Sequence, residues 1–194
     1  MSFWGGEFIG STTYTHPTFT KFEEEINKLF DKVILWFQTN SLSLNLNKMY
    51  FMQFSSKTNY APMVNLSYKS NSVFNVGFTQ FLGLSLDSSL SWKPHIDQLN
   101  SKLNSAYYTI RSLKSFIPIE TLRLIYFSNF HSLLSYGIIF WGNTGYSISL
   151  FKIQKRVIRT MVNAGKAESC REWFKRLNIL PLYSIHTLPI SLCN

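Results

Sequence analysis

PHIDQLNSKLNSAYYTIRSLKSFIP, residues 94–118, is the stretch that decides the fold of this chain. Its apolar residues recur at alternating intervals of three and four positions: Ile96, Leu99, Leu103, Ala106, Ile110, Leu113 and Ile117. This spacing places them along one seam of an α-helix that packs against another helix. Pro94 suits the first helical turn, where an N–H is not needed, and Pro118 ends the helix. The sequence therefore predicts a long, packed helix over this stretch.

The residues after Pro118 predict a second long helix. Residues 120–140 are apolar on nearly all sides, which is typical of a central helix. We expect it to run antiparallel to the first, because the link around Pro118 is short. Residues 124–142 carry no formal charge, but their Asn, His and Ser side chains would be penalised in a bilayer. A buried core helix is therefore favoured over a membrane span.

Two further helices are indicated downstream. Residues 149–163 carry apolar side chains on one face and a basic stripe on another, and Gly165 is expected to close the helix. Ser169 with Glu172 forms a capping-box pattern for a fourth, short helix. The form of residues 182–188 stays open. Residues 91–188 thus predict a three- to four-helix bundle, followed by a tail over residues 189–194.

The first half of the chain predicts one helix and a small antiparallel sheet. Residues 20–40 have an apolar stripe at helical spacing, and Thr20 with Glu23 makes a capping box. Short alternating runs over residues 49–87 predict strands joined by tight turns. Residues 1–17 have no clear period and predict an irregular leader. The expected fold class is therefore α+β, with one helix packed on the sheet in residues 18–90.

Charge is spread unevenly along the chain, whose formal net charge is +9. Residues 1–60 hold five basic and five acidic side chains, whereas residues 118–194 hold nine basic and three acidic ones. Such a basic surface attracts polyanions, chiefly nucleic acid or anionic lipid, although it also aids solubility. The aromatic content of 16% supplies enough apolar surface to argue against disorder over most of the chain.

Several classes of site find little support in the residue pattern. Cys170 and Cys193 lie far apart, and the four histidines are isolated, so no metal-binding spacing is present. Free thiols in a reducing compartment are the better interpretation. Asp87 and His95 are too weakly specified for a catalytic dyad. The first ten residues lack the basic start and long apolar run of a secretory signal.

A series of short motifs gives the chain its one resemblance to a known family. They are WFQTN (36–40), LSLNLNK (42–48), FLGLSLD (81–87), LSWKPHI (90–96), YG (136–137), WG (141–142), QKR (154–156) with Arg159, CRE (170–172) and LNILP (177–181). Their order and spacing resemble the C-terminal part of reverse transcriptases from non-LTR retrotransposons, particularly the jockey-like elements of animals. The resemblance covers roughly residues 20–188.

The resemblance implies a palm remnant over residues 18–90 and a helical thumb over residues 91–188. In that family the thumb holds template–primer duplex, so nucleic acid is the implied partner and the nucleus or cytoplasm the implied location. The segment ending at Lys48 is similar to the one behind the palm's catalytic strand. Phe81, Leu82 and Gly83 are similar to the turn that grips the primer. The basic stripe of Lys152, Lys155, Arg156 and Arg159 would follow a phosphate backbone.

The departures from the family concern catalysis. The family's Ala-Asp-Asp motif is expected before the first helix, but residues 9–16 read IGSTTYTH and contain no aspartate. Two-metal phosphoryl transfer needs such carboxylates to hold Mg²⁺. The chain is therefore expected to be a reverse-transcriptase fragment that is inactive alone, with no cofactor of its own, although the parent enzyme uses Mg²⁺. Alternatives are an adopted nucleic-acid-binding module and a protein-interaction module that uses an exposed sheet.

Each candidate residue also has a plain structural interpretation. Lys48 is a solvated surface lysine if no substrate site surrounds it. The Phe81-Leu82-Gly83 segment is a core strand with a bulge, which we favour for this chain. The basic stripe is a solvated helix face opposite the apolar one.

Overall fold

The computed structural model describes residues 3–4, 7–8, 19–43, 45, 49–54, 64–68, 71–166 and 168–191. The chain divides into two compact units, Met1–Leu90 and Ser91–Asn194. The first, unit 1, combines helix with short strands, and the second, unit 2, is helical in its described part. The protein is thus a mixed helix-and-sheet chain, in agreement with the coarse expectation.

Unit 1 contains one long helix and several short strands among its described residues. In chain order they are β1 (Phe3–Trp4), β2 (Glu7–Phe8), α1 (Phe19–Thr39), β3 (Tyr50–Phe51), β4 (Leu66–Tyr68), β5 (Asn71–Asn75), β6 (Phe78–Phe81) and β7 (Leu84–Asp87). β1 and β2 pair with each other, so the expectation of a wholly irregular leader over residues 1–17 is wrong in this part.

Helix α1 packs on the inner face of a three-stranded sheet. The buried centre of this contact is formed by Val64, Leu66 and Val73, and Ile26 and Phe30 of α1 pack against it. A polar link holds the helix to the sheet at the same place. The Oε1 atom of Glu23 accepts the backbone N–H of Asn65 at 2.9 Å. The predicted capping box is therefore wrong, because α1 begins at Phe19 and Thr20 lies inside it.

The three-stranded sheet departs from the predicted, mostly antiparallel pattern in one parallel pairing. Its strand order is β3-β5-β4, and β3 pairs with β5 in parallel while β4 pairs with β5 antiparallel. β6 and β7 form a separate antiparallel hairpin. The physical reason is the length of chain between β3 and β5, which leaves room for the crossover that a parallel pair needs.

Unit 2 is built from helices in its described residues. In chain order they are α2 (Lys93–Leu113), α3 (Ile119–Ile125), the π-helical segment Tyr126–His131, α4 (Ser132–Ser135), α5 (Ile138–Trp141), α6 (Ser147–Met161), α7 (Arg171–Arg176) and α8 (Leu182–Ser191). α8 therefore gives residues 182–188, whose form the sequence left open, a helical conformation.

Helix α2 presents the predicted apolar seam to the core. Ile96, Leu99, Leu103, Ala106 and Ile110 are buried, which confirms the spacing argument over most of the helix. The most extensive contact of α2 is with α6. These two helices run parallel, because residues further along α2 bond residues further along α6. The hydrogen bonds join Asn100 to Ser149 at 3.0 Å, Tyr107 to Thr160 at 3.4 Å and Lys114 to Asn163 at 2.7 Å.

The predicted second long helix, residues 120–140, is present in a modified form. α3, the π-helical segment and α4 follow one another without a break and form a single helical rod. The rod ends before Gly137, which adopts a left-handed conformation with φ 62°. α5 follows as a separate turn. Its Phe140 ring stacks on Trp92, and Trp141 contacts His95, both at the start of α2. The rod and α5 therefore return along α2 in the antiparallel sense.

Two smaller expectations concern helix ends and membranes. α6 ends at Met161, and Asn163 rather than Gly165 adopts the left-handed conformation that follows it, with φ 57°. Asn, like Gly, tolerates this conformation well.

Across the described ranges, no helix combines the length and the apolar character that a bilayer crossing requires.

A close approach of α5 and α8 makes Gly142 intolerant of a side chain. A Cβ atom added there would lie 2.6 Å from the Cδ2 atom of His186 and 2.6 Å from the Ile138 carbonyl oxygen. We expect Gly142→Ala to lower the free energy of unfolding by about 2 kcal/mol, as overpacking does. Urea unfolding followed by circular dichroism measures the change. Gly145→Ala is the matched control, because a Cβ at Gly145 meets nothing within 4 Å; equal losses in the two variants would contradict the expectation.

Buried His95 and half-buried His131 give unit 2 a predictable pH dependence. Burial lowers the pKa of His131 below 6.5, and burial together with nearby Lys102 lowers the pKa of His95. Their folded state thus binds fewer protons than the unfolded state below about pH 6.5, so this stability is present above that pH and is lost as pH falls.

We therefore expect the free energy of unfolding to be smaller at pH 5.5 than at pH 7.5. His131→Leu removes one of the two titrating groups and should narrow that gap. Urea titrations of both proteins at the two pH values test this. A gap of unchanged size in the variant would show that protonation of His131 is not linked to unfolding.

Candidate nucleic-acid interface

Helix α6 has a buried face and an opposite basic face. The buried residues of α6 are Ser147, Leu150, Ile153, Gln154, Val157, Ile158 and Met161. Lys152, Lys155, Arg156 and Arg159 follow the i, i+3, i+4, i+7 pattern on the other side of the helix. We call these four residues the basic stripe. The structure therefore brings together the four stripe residues that the sequence singled out.

One buried polar side chain fixes how α6 is rotated about its axis. Gln154 is fully buried, and its Nε2 atom donates to the Tyr126 hydroxyl at 3.0 Å and to the Leu180 carbonyl at 2.9 Å. Its Oε1 atom accepts the backbone N–H of Leu182 at 2.9 Å. The amide thus ties α6 to the π-helical segment and to the start of α8. Because an unmade buried hydrogen bond is costly, this orientation of α6 is strongly preferred.

The hydrogen bond from Gln154 also affects the pKa of Tyr126. Burial raises the pKa of its hydroxyl above the usual value, and the hydrogen bond from Gln154 opposes that rise. Tyr126 therefore stays protonated in the folded protein at any physiological pH. The hydroxyl serves as a fixed structural partner for the Gln154 amide.

The members of the basic stripe differ in how they are held. Lys152 and Arg156 are exposed, whereas Lys155 and Arg159 are half-buried. The Lys155 Nζ atom lies 4.7 Å from the centre of the Phe151 ring, and the Arg156 guanidinium carbon lies 5.5 Å from the centre of the Tyr107 ring. Such contacts restrain the long side chains without neutralising their charge. Within the described ranges, none of the four pairs with a carboxylate.

Arg159 stabilises the loop after α6, a role that the sequence did not indicate. Its Nε and Nη2 atoms donate to the Glu168 carbonyl oxygen at 3.1 and 3.0 Å. The Glu168 carboxylate in turn accepts the Trp173 indole N–H at 2.9 Å and the Gly165 N–H at 3.2 Å. Arg159 therefore positions the loop between α6 and α7, and Lys152, Lys155 and Arg156 are the stripe members available to a ligand.

Sequence reasoning missed the contribution of α2 to this surface. Tyr107 lies under Arg156, Lys114 donates to the Asn163 side chain at 2.7 Å, and exposed Arg111 stands one turn beyond Tyr107. The signal was present in the i, i+4, i+7 spacing of Tyr107, Arg111 and Lys114 beside the apolar seam. What could not be read was that this edge of α2 faces α6. The candidate interface is therefore the surface of the α2–α6 pair.

The Phe81-Leu82-Gly83 segment is a hairpin turn rather than a core strand. Phe81 pairs with Leu84, and Leu82 and Gly83 form the two-residue loop with φ values of 47° and 77°. Leu82 is 50% exposed, so the favoured core interpretation is wrong. Positive φ at both positions is the pattern of a type I′ two-residue loop, which Gly83 adopts freely and Leu82 adopts at a cost of about 1–2 kcal/mol. The segment belongs to unit 1.

The remaining expectations concern Lys48 and metal ions. Lys48 lies outside the described residues, so its predicted role stays a prediction. In the parts of the chain that are described, no three His, Cys, Asp or Glu side chains gather in a way that could hold a metal ion.

The Gln154 amide gives a sharp stability prediction. Gln154→Met keeps the size of the side chain but leaves the Tyr126 hydroxyl, the Leu180 carbonyl and the Leu182 N–H without their buried partner. We expect the free energy of unfolding to fall by about 3 kcal/mol, because each abandoned group costs on the order of 1 kcal/mol or more. Urea unfolding measures the change. Ser149→Ala, which removes one hydrogen bond from Asn100 and one to the Tyr146 carbonyl at a less buried position, should cost far less; similar losses would contradict the assignment.

Comparison with known proteins identifies no relative of the chain. No protein-family description, no curated protein and no solved structure matches the chain.

Proposed function

We propose that the chain corresponds to the palm–thumb end of a non-LTR retrotransposon reverse transcriptase, and that its own role is to hold nucleic acid by the sugar–phosphate backbone. The observation that carries the proposal is the outward-facing basic stripe of α6, none of whose described members is neutralised by a carboxylate. The order of the sequence motifs supplies the kinship, and unit 2 takes the place of the thumb. Such a protein would act in the nucleus or the cytoplasm.

The distribution of charge between the units supports this role. Residues 91–194 contain 13 Lys and Arg against four Asp and Glu, whereas residues 1–90 contain six of each. The whole net charge of +9 therefore belongs to the unit that carries the α2–α6 surface. A helical unit of this size with such an excess will attract phosphates from a distance and release their counterions on binding.

The geometry of the stripe favours backbone contact over base reading. The three stripe members available to a ligand, from Lys152 to Arg156, span about 6 Å along a helix at 1.5 Å per residue. One nucleic-acid strand advances about 3.4 Å per nucleotide, so they cover roughly three phosphates. Lysine and restrained arginine side chains in such a row contact phosphates without selecting a sequence. We therefore expect binding that is sensitive to salt and nearly indifferent to sequence.

We do not propose polymerase activity for this chain. Residues 9–16, which precede α1 where the family's metal-binding motif is expected, include no carboxylate. Chemistry of the two-metal kind depends on such carboxylates.

The test is a charge-removal variant of α6. Changing Lys152, Lys155 and Arg156 together to Gln should weaken nucleic-acid binding by at least ten-fold near 50 mM salt. It should also reduce the slope of log affinity against log salt by roughly two to three units, because each lost phosphate contact contributes about 0.7 to 0.9. Fluorescence anisotropy with a labelled oligonucleotide, repeated over a salt series, measures both quantities. Arg159 is left intact because it supports the loop after α6.

A matched control removes the same charge elsewhere. Lys21, Lys28 and Lys32 are exposed on α1, and their combined change to Gln alters net charge equally but should leave the salt slope nearly unchanged. Equal effects of the two triple variants would reduce the stripe to a contributor of bulk charge. Absence of binding at micromolar protein would reject the proposal. A dimeric mass by light scattering would then favour the protein-interaction alternative, for which exposed Tyr50 and Phe74 on the sheet are the best candidates.

A further inference from the structure

The ring of Tyr108 is an unused aromatic surface at the edge of the α2–α6 pair. Tyr108 is 70% exposed, whereas exposed Tyr136 is 53% exposed and Tyr146 45%. Where the chain is described, its ring stacks on no other aromatic ring and lies under no cation, unlike that of its neighbour Tyr107. Most of its apolar area is therefore in water, which is unfavourable unless a ligand covers it.

The neighbours of Tyr108 leave the ring accessible. Of the four residues one turn away on α2, Asn104, Ser105 and Ser112 have short side chains, and the fourth is Arg111. Asn104 donates to the Asn100 carbonyl, Ser105 to the Ser101 carbonyl and Ser112 to the Tyr108 carbonyl, so each side chain is folded back on the helix backbone. The ring therefore stands above its surroundings and can receive a planar group on a face.

Positive charge borders the ring on the side that faces α6. Arg111 projects between Tyr107 and Tyr108 on the helical wheel, and Arg156 lies over Tyr107. The acidic residue of α2, Asp97, lies near its other end, where Lys93 bonds it at 3.3 Å. A ligand that covers Tyr108 thus has Arg111 one turn away on the same helix, with Arg156 beyond it over Tyr107. Exposed aromatics interleaved with basic residues are typical of surfaces that bind single-stranded nucleic acid.

We infer that Tyr108 is a stacking platform for an unpaired base, and that the preferred ligand of the α2–α6 surface is single-stranded nucleic acid whose phosphates contact Arg111 and Arg156. The inference rests on the proposed function, since it names the ligand class of the same surface. A duplex cannot use the ring in this way, because its base faces are already stacked on one another. An unpaired base offers a free face of matching size.

The test compares three ligands on three variants of the full chain. The ligands are a labelled 12-nucleotide oligouridine, an abasic strand of the same length and a 12-base-pair RNA duplex. Tyr108→Leu should weaken oligouridine binding by about ten-fold, as loss of one stacked base does, and leave the abasic strand and the duplex within two-fold. Tyr108→Phe keeps the ring and should bind oligouridine as the unchanged protein does. Tyr136→Leu, an exposed tyrosine outside α2 and α6, is the matched control and should bind normally.

The outcomes separate this inference from the proposed function. Unchanged oligouridine affinity in Tyr108→Leu, or equal losses for all three ligands, overturns the stacking role while leaving the backbone role intact. Loss of affinity in Tyr108→Phe as large as in Tyr108→Leu also overturns it, because the hydroxyl and not the ring would then be the contact. If the Lys152, Lys155 and Arg156 variant binds every ligand normally, the proposed function itself fails.

Discussion

The hydrogen bonds of the Gln154 amide are the constraint on which the rest of unit 2 depends. A fully buried amide has no water to bond, so its two nitrogen donors and its oxygen acceptor must find protein partners. It finds them on the π-helical segment and at residues 180–182. Only one rotation of α6 satisfies all three, whereas apolar packing alone would tolerate a range of rotations. The amide therefore decides which residues of α6 reach the surface.

The outer surface follows from that rotation and from the parallel packing of α2 with α6. Because the two helices advance together, one edge of α2 stays beside one edge of α6 for most of their length. Tyr107 meets Arg156 at this edge, and Arg111 and Tyr108 come next on α2. A helix pair crossing at a steep angle would have brought only one such contact together. A continuous surface of cations and aromatic rings is thus a consequence of helix geometry.

How much of the fold and of the candidate site the sequence predicted depends on how far apart in the sequence the interacting residues lie. The apolar seam of α2 and the two-faced character of α6 are local patterns of three and four residues, and the structure bears them out. Strand pairing was less accessible, because the parallel pairing of β3 with β5 is set by packing across distant segments. The turn at Leu82 and Gly83 was misjudged because leucine rarely adopts positive φ. The part of α2 in the candidate site could not be predicted for the same reason as the pairing of β3. A local sequence pattern does not say which helix a face will pack against.

The concentration of charge on unit 2 raises the question of how a basic helical surface avoids destabilising its own fold. Four of its cations lie over aromatic rings: Arg123 on Phe127, Lys155 on Phe151, Arg156 on Tyr107 and Arg176 on Trp173. Each ring accepts the cation's stem and charge without introducing a carboxylate. A salt bridge would have relieved the repulsion as well, but it would also have cancelled the field that attracts phosphate. Aromatic support stabilises the cations and keeps that field, which is why a basic surface lined with aromatic residues points to an anionic ligand more strongly than net charge alone.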